Sequence, residues 1–312
     1  MPRVSILLPS YNAAPYVDAA IESVLRQTFT DWELIAVDDA STDGTAARLE
    51  AHASSRVHVH RNPRNLGMTG NWNRCLSLAT GTFVLKLDAD DALKPHALER
   101  LVGGFEADDV VAAGIRTLSC DEHLEPFDGI PGDDIIMRGG IDPYGDTILP
   151  GERWYSIAAH RAQLWASSAF MIRRDLLTRL GGWDERFGCA SDTELMWRVM
   201  EQGGRIAHRG AVGALYRIHP GSISDVYRAQ GWLTWEAVAA NLLSLSRVRA
   251  RRPLPRSLRM HYVRLWNQWH DAPSRPLPEA ICGKLEDVMA KIPPPPKIDR
   301  MMTRLRDGVS AA

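Results

Sequence analysis

The sequence predicts an α/β fold: a mostly parallel central sheet flanked by helices in the Rossmann-like manner, followed by a helical C-terminal tail. Three observations predict it. Short apolar runs rich in β-branched residues recur through residue 115, segments of helical period separate them, and the two kinds alternate in order.

The first run, Val4–Leu8, reads as a strand, and Tyr16–Gln27 as a helix with Val17, Ala20, Ile21, Val24 and Leu25 along one face. Glu33–Val37 is the second strand; Asp43 and Gly44 then make a turn into the helical segment Thr45–His52. Val57–His60 follows as a third strand, where His58 and His60 alternate as a polar face with no zinc-binding helix signature beside them. Asn71–Ala79 spaces Trp72, Cys75, Leu76 and Ala79 as one helix face, and Phe83–Leu87 and Val110–Ile115 complete the alternation. In such a sheet ligands bind at the carboxyl ends of the strands. There "FVLKLDADD" places Asp88, Asp90 and Asp91.

From Leu118 to Arg161 the pattern gives way to Gly-, Pro- and Asp-rich sequence, too long for an ordinary connection, which predicts a loop that shapes a site. "SSAFMIRRDLL" then reads as a strand leading to a helix, "SDTELMWRVMEQGG" as a capped helix with a Gly stop, and "RIAHRGAVGALYRIH" as one or two strands. Beyond Ser224 the chain turns helical, and "PPPP" at 293–296 marks a stiff break before a short basic helix. No internal repeat is present.

A chain of 312 residues with 45% hydrophobic content and a net charge of −1 is globular, with no whole-chain attraction to nucleic acid. Cys75, Cys120, Cys189 and Cys282 form no CxxC pair, which fits a reducing compartment. The N-terminus lacks the pattern of a signal peptide, and no apolar stretch reaches the roughly 18 residues of a membrane span. A cytoplasmic protein is expected. The seven arginines from Arg247 to Arg264 have no acidic neighbour between Glu236 and Asp271 and are interleaved with Leu254, Leu258, Met260, Tyr262, Leu265 and Trp266. They predict either a basic amphipathic surface, held peripherally against anionic lipid at the inner face of the membrane, or a helix packed on the catalytic part or on a second subunit of a homo-oligomer.

Helix capping accounts for any one of Asp88, Asp90 and Asp91 but poorly for all three, because neighbouring carboxylates repel and a cation relieves that cost. An EF-hand counted from Asp88 places Glu99 at its twelfth position. It fails at the fifth and sixth, where Ala92 and Leu93 stand. Neither a P-loop nor a Gly-x-Gly-x-x-Gly turn is present to cradle phosphate. A metal bridging carboxylates to a diphosphate is left.

"VSILLPSYNAAPYVDAAIESVLRQTFTDWELIAVDDASTDGT", "NLGMTGNWNRCLSLATGTFVLKLDADD", "GGWDERFGCASDTELMWRV" and "YRIHPGSIS" resemble, in that order, the successive motifs of the family 2 glycosyltransferases, which have the GT-A fold. The resemblance covers roughly residues 3 to 224. It implies an inverting enzyme that takes a sugar from a nucleotide diphosphate donor with the help of Mg²⁺ or Mn²⁺, with a UDP-sugar the leading candidate. Processive relatives carry Gln-x-x-Arg-Trp and membrane helices; neither is present, which implies a non-processive enzyme. The acceptor would be a carbohydrate, lipid-linked or other hydroxyl, and nucleic acid would be no partner.

Carried over by position, "DAD" matches the Asp-x-Asp motif. Asp88 would approach the donor's ribose or metal, Asp90 would bind the metal, and His219 would add a ligand or a phosphate contact. Pro9, Ser10, Tyr11 and Asp39 match the nucleoside pocket, and Asn71 and Asn73 fall where relatives contact the nucleoside. "ASDTELMWR" matches the element whose Asp is the catalytic base, which makes Asp192 the candidate, with Ser191 where the pattern has Glu; a helix cap is the competing role for either residue. The resemblance divides the chain into a donor half, 1–117, an acceptor and catalytic half, 118–224, and a helical extension, 225–312. Trp154 and Tyr155 would form an aromatic platform for a sugar or belong to the core. The rival functions are a nucleotidyltransferase, which would release pyrophosphate, and an inactive nucleotide-binding module.

Overall fold

The first strand, β1 (Val4–Ser10), and the second, β2 (Trp32–Asp38), are buried along their whole length, as strands covered on both faces must be. Side chains alternate across them: Val4, Ile6, Leu8, Leu34 and Ala36 enter one apolar cluster, Leu7, Ile35 and Val37 the other. Helix α1 (Val17–Leu25) covers the first face with Val17, Ala20, Ile21 and Val24, and α3 (Met68–Leu78) the second with Trp72 and Cys75. Between them lie α2 (Thr45–Ala51) and β3 (Val57–Arg61), and after α3 comes β4 (Phe83–Lys86). The computed structural model describes residues 2–127, 133–158, 164–251, 253–254, 256–271 and 279–295. The basic helix expected after Pro296, Arg252, and parts of the 118–161 segment fall outside these.

Next come β5 (Ala92–Leu93), α4 (Ala97–Val102), β6 (Val110–Cys120), α5 (Asp133–Arg138), β7 (Thr147–Pro150) and α6 (Gly151–Ala158). They are followed by β8 (Phe170–Arg173), α7 (Arg174–Arg179), α8 (Ser191–Glu201) and β9 (Arg205–Arg217). The extension holds α9 (Ile223–Ala229), α10 (Trp232–Arg251), α11 (Arg256–His270) and α12 (Glu279–Met289). One sheet runs β3-β2-β1-β4-β8-β6-β9-β5, with β7 also on β9. Residue 117 falls inside β6 and residue 224 inside α9.

Strands β3, β2, β1 and β4 are all parallel, and β1 has β2 on one side and β4 on the other, so the chain order reverses there. The crevice at such a reversal is where ligands of open α/β sheets bind. Beyond β4 the sheet is mixed rather than mostly parallel: β8 runs antiparallel to both β4 and β6, and β5 and β7 antiparallel to β9. Hydrophobic period tells a strand from a helix but not its direction. The segment expected to be one long loop contains β7 and α6, because its Gly and Pro residues punctuate short elements. Trp154 and Tyr155 are core, not platform: both are buried, Trp154 donates to the Ile206 carbonyl at 2.9 Å, and the Tyr155 hydroxyl lies 2.9 Å from Ser244 Oγ. The apolar residues among the arginines also turn inward; Leu254, Leu258, Tyr262, Leu265 and Trp266 join the core, and only Met260 is exposed. No helix among the described residues is long and apolar enough to cross a membrane.

Candidate active site

At the carboxyl end of β2, Asp39 is buried and its carboxylate accepts three hydrogen bonds: from Asn62 Nδ2 at 2.7 Å, Leu66 N at 2.9 Å and Gly67 N at 3.1 Å. These pin the 62–67 loop beside β1. Asn71 is the clamp behind it, accepting from Asn62 at 3.0 Å and donating to the Val37 carbonyl at 3.1 Å, with both ends of its amide used inside the protein. Asn73 clamps elsewhere, exchanging two 2.9 Å bonds with the backbone of Trp183. Pro9 and Ser10 are buried at the end of β1, whereas the Tyr11 side chain projects from it, 52% exposed. Asp43 does form the expected turn, accepting from Ala14 N, Thr45 N and Thr45 Oγ1.

The three carboxylates after β4 meet different fates. Asp91 is buried and tied to two neighbours, Ser168 Oγ at 2.7 Å and Arg217 N at 3.0 Å, so it locks β8 and β9 onto the end of β4. Burial, and then the charges of Asp90 and Asp88, push its carboxyl well above the usual range. Asp88 lies 2.5 Å from Lys86 Nζ, and its backbone N–H donates to Ser168 Oγ at 3.1 Å. Asp90 is more open and faces His219, Oδ2 to Nε2 3.2 Å. His219 also directs Nδ1 to the Pro220 carbonyl at 3.1 Å and packs on Tyr16, 4.3 Å between ring centres. The bond to Asp90 raises the imidazole pKa despite partial burial.

The donor set fits a divalent cation. Asp90 and His219 Nε2 converge, the Nδ1–H held on a carbonyl fixes the ring as a metal-bound histidine needs, and the crowding of Asp88, Asp90 and Asp91 is the repulsion a cation relieves. No cluster of three or more such ligands occurs among the described residues, so an ion here would draw further oxygens from its substrate.

Asp192 stands in the first turn of α8 but caps nothing. The helix begins after Ala190 with no side-chain cap, and the Asp192 carboxylate turns away into the site. There Oδ1 accepts from Trp183 Nε1 at 2.8 Å and Oδ2 lies 3.4 Å from Lys86 Nζ. Ser191 is buried and donates to the Asp184 carbonyl at 3.3 Å.

Lys86 joins the two sides. Its ammonium, only 2% exposed, sits between Asp88 and Asp192 and 3.8 Å from the centre of the Trp72 ring. Burial would push its pKa down, but Asp192 and then Asp88 more than offset this and it is raised, so the group is a fixed cation. Sequence reasoning passed over Lys86, Trp183, Ser168 and Arg217. For Lys86 the signal was present: a charge inside the apolar run "FVLKL" is rare in a buried strand unless paired.

Four parallel strands whose order reverses at β1, with acidic side chains and an aromatic ring gathered at that reversal, define the class of open α/β sheets that bind ligands at the strand ends. Comparison with known proteins narrows the class. The profile of "Glycosyl transferase family 2" matches residues 5–137. An uncharacterized glycosyltransferase of Haemophilus influenzae is 35% identical over 237 residues, 72% of this chain and 68% of that protein. The chain belongs to glycosyltransferase family 2. With two other curated relatives, from Bacillus subtilis and Nostoc, the match takes in only 61% and 38% of their length. The fold is that of Staphylococcus aureus TarS 1-349, solved in complex with UDP-GlcNAc: TM-score 0.67 at 17% identity, covering 93% of this chain and 82% of that one. It is also that of the mannosyltransferase PcManGT of Pyrobaculum calidifontis, solved with GDP-Man and Mn²⁺: TM-score 0.57 at 19% identity, covering 100% and 80%.

Proposed function

We propose that the protein is an inverting, non-processive glycosyltransferase that moves one sugar from a nucleoside diphosphate sugar, a UDP-sugar first among candidates, to a hydroxyl acceptor. The observation that carries the reading is Lys86, which holds Asp88 and Asp192 within 2.5 and 3.4 Å of one ammonium and so makes the two carboxylates parts of one site. Family membership and structural neighbours that bind UDP-GlcNAc and GDP-Man support a nucleotide-sugar donor.

In this reading the 1–117 half binds the donor. The base stacks on Tyr11, the buried Asp39 carboxylate accepts its N–H, and Pro9, Ser10 and Asn71 shape the floor beneath it. Asp90 and His219 would hold Mn²⁺ or Mg²⁺ against the diphosphate, as the Mn²⁺ of PcManGT suggests, with Asp88, paired with Lys86, directed to the ribose or the metal. When bound, the cation stabilises the charge that develops on the leaving group. Asp192 takes the proton of the acceptor hydroxyl as its oxygen bonds to the anomeric carbon from the face opposite the departing diphosphate, which leaves with the electron pair of the broken bond. Trp183 holds Oδ1 of Asp192, and Oδ2, beside the Lys86 ammonium, has a further lone pair for that proton. The 118–224 half would receive the acceptor, and residues 225–312 support it. A cytoplasmic location fits nucleotide-sugar chemistry; contact with anionic lipid would be made by exposed arginines such as Arg256 and Arg259 alone, since the apolar residues between them face inward.

The test is a thermal-shift screen of nucleotide sugars with and without Mn²⁺, followed by product analysis, since a ligand bound only to the folded state raises its stability. A Mn²⁺-dependent shift with a UDP-sugar and release of nucleoside diphosphate is expected. Release of pyrophosphate would establish a nucleotidyltransferase instead, and binding without turnover an inactive module.

A further inference from the structure

We propose that Glu236, on α10 of the helical extension, is a positioning residue for Asp192; the inference rests on the reading of Asp192 as the base. Glu236 is fully buried, and its charge is answered by consecutive backbone groups. Oε1 accepts from Gly188 N at 2.9 Å, Oε2 from Ala190 N at 3.0 Å, and the N–H of Cys189 points at the same carboxylate. Burying a carboxylate is costly, and a residue that merely filled the helix contact would be apolar. Here the carboxylate fixes all three N–H groups of the turn that ends, two residues later, at Asp192.

The approach is close enough to require glycine. A Cβ on Gly188 would lie 2.5 Å from Tyr227 Oη and 2.7 Å from Glu236 Oε1. The same helix also grips α8 further along. Arg247 of α10 reaches Glu194 Oε1 at 2.9 Å and Glu201 Oε2 at 3.0 Å, and Ser244 donates to Glu201 Oε1 at 2.6 Å. Helix α8 is thus held at its start and along its length by a segment far outside the family match at residues 5–137. Its height against the sheet sets how Asp192 meets Lys86 and Trp183, and a displacement of about 1 Å in a reacting group can cost roughly 10²-fold in rate. Helix α10 therefore acts on catalysis through its hold on the base, while the hydrogen bonds on the Asp39 carboxylate come from residues 62–67.

The experiment uses the full chain and Glu236→Gln, which keeps the shape but turns an amide N–H against a backbone N–H. Turnover for transfer is expected to fall by at least about tenfold with donor affinity, measured by calorimetry, unchanged. A double-mutant cycle with Asp192→Asn separates positioning from general damage: once the base is gone, Glu236→Gln is expected to cost less than about twofold more. Leu258→Ala, in the packed core of the extension, serves as the control with a comparable loss of melting temperature, and its turnover is expected to stay near wild type. Should Glu236→Gln fail to fold, Gly188→Ala displaces the same turn and enters the same cycle. Full turnover in Glu236→Gln, an equal loss in the Asp192→Asn background, or an equal loss in Leu258→Ala each overturns the proposal. An Asp192→Asn enzyme that transfers at the wild-type rate sinks the base assignment itself and this inference with it.

Discussion

Asp39 and Asp192 stand in two halves of one sheet protein, and they are fixed in opposite ways. Asp39 is held by the loop at 62–67, no more than 28 positions along the chain, and by β1, β2 and β3, which are neighbours in space as in sequence. Asp192 is held by Lys86 from the first half, by Trp183 beside it and, through its turn, by Glu236 from the extension. The surroundings of Asp39 are a local construction and those of Asp192 an assembled one. On the proposed roles, the comparison teaches that damage far away in the chain would reach turnover through Asp192, whereas donor binding would answer mainly to residues nearby.

The sharpest way to break that contrast is Asp192→Asn, which is expected to lower turnover by about 10² to 10⁴ while donor affinity by calorimetry holds, because a base acts on the acceptor proton and not on the donor. Transfer at the wild-type rate would place the base elsewhere. Asp90→Ala comes next, with turnover expected to fall more than about tenfold and the Mn²⁺-dependent part of the donor's thermal shift to vanish. An unchanged Mn²⁺ response removes Asp90 from the metal site. Lys86→Met leaves two carboxylates facing each other without their cation, and an expected loss of about 3 kcal/mol follows from breaking a buried pair on one side; urea unfolding measures it, and a variant as stable as wild type refutes the pairing. The smallest effect falls on Tyr11→Ala, expected to weaken the donor by roughly 1 kcal/mol, the low end of what base stacking contributes, with no change in melting temperature. Unaltered donor affinity would show that the base does not stack there.

The same division governs what could be read from the sequence. Val4–Leu8, Glu33–Val37 and Phe83–Leu87 announce themselves because strands buried on both faces must be continuously apolar, and Val17–Leu25 because one face of a helix must be. The "DADD" segment marked a site because three acidic residues at a strand end ask for a cation. Beyond residue 118 the signals fade. Direction is invisible to periodicity, so β8 could be found as a strand but not as an antiparallel one. Trp154 and Tyr155 stayed open between platform and core, since nothing local shows that Ile206 and Ser244 supply their polar partners from far along the chain. Glu236 was no more legible: a single acid in a helix reads as solvated unless the three N–H groups it meets are known.

Lys86 also has a consequence for how the chain finds its fold. On β4 it shares a face with Val84, beside Trp72, while Leu85 and Leu87 fill the opposite cluster. In the native register it lies opposite Leu7 of β1. A slip of β4 by one residue would exchange the faces, drive the ammonium among Leu8, Ile21 and Leu98, and leave Asp88 and Asp192 without it. An unpaired buried cation is among the costliest groups a core can hold. Strand pairing at the centre of the sheet is therefore proofread by the charge of Lys86, and a molecule that has misaligned its sheet cannot also have brought Asp88 and Asp192 to one ammonium.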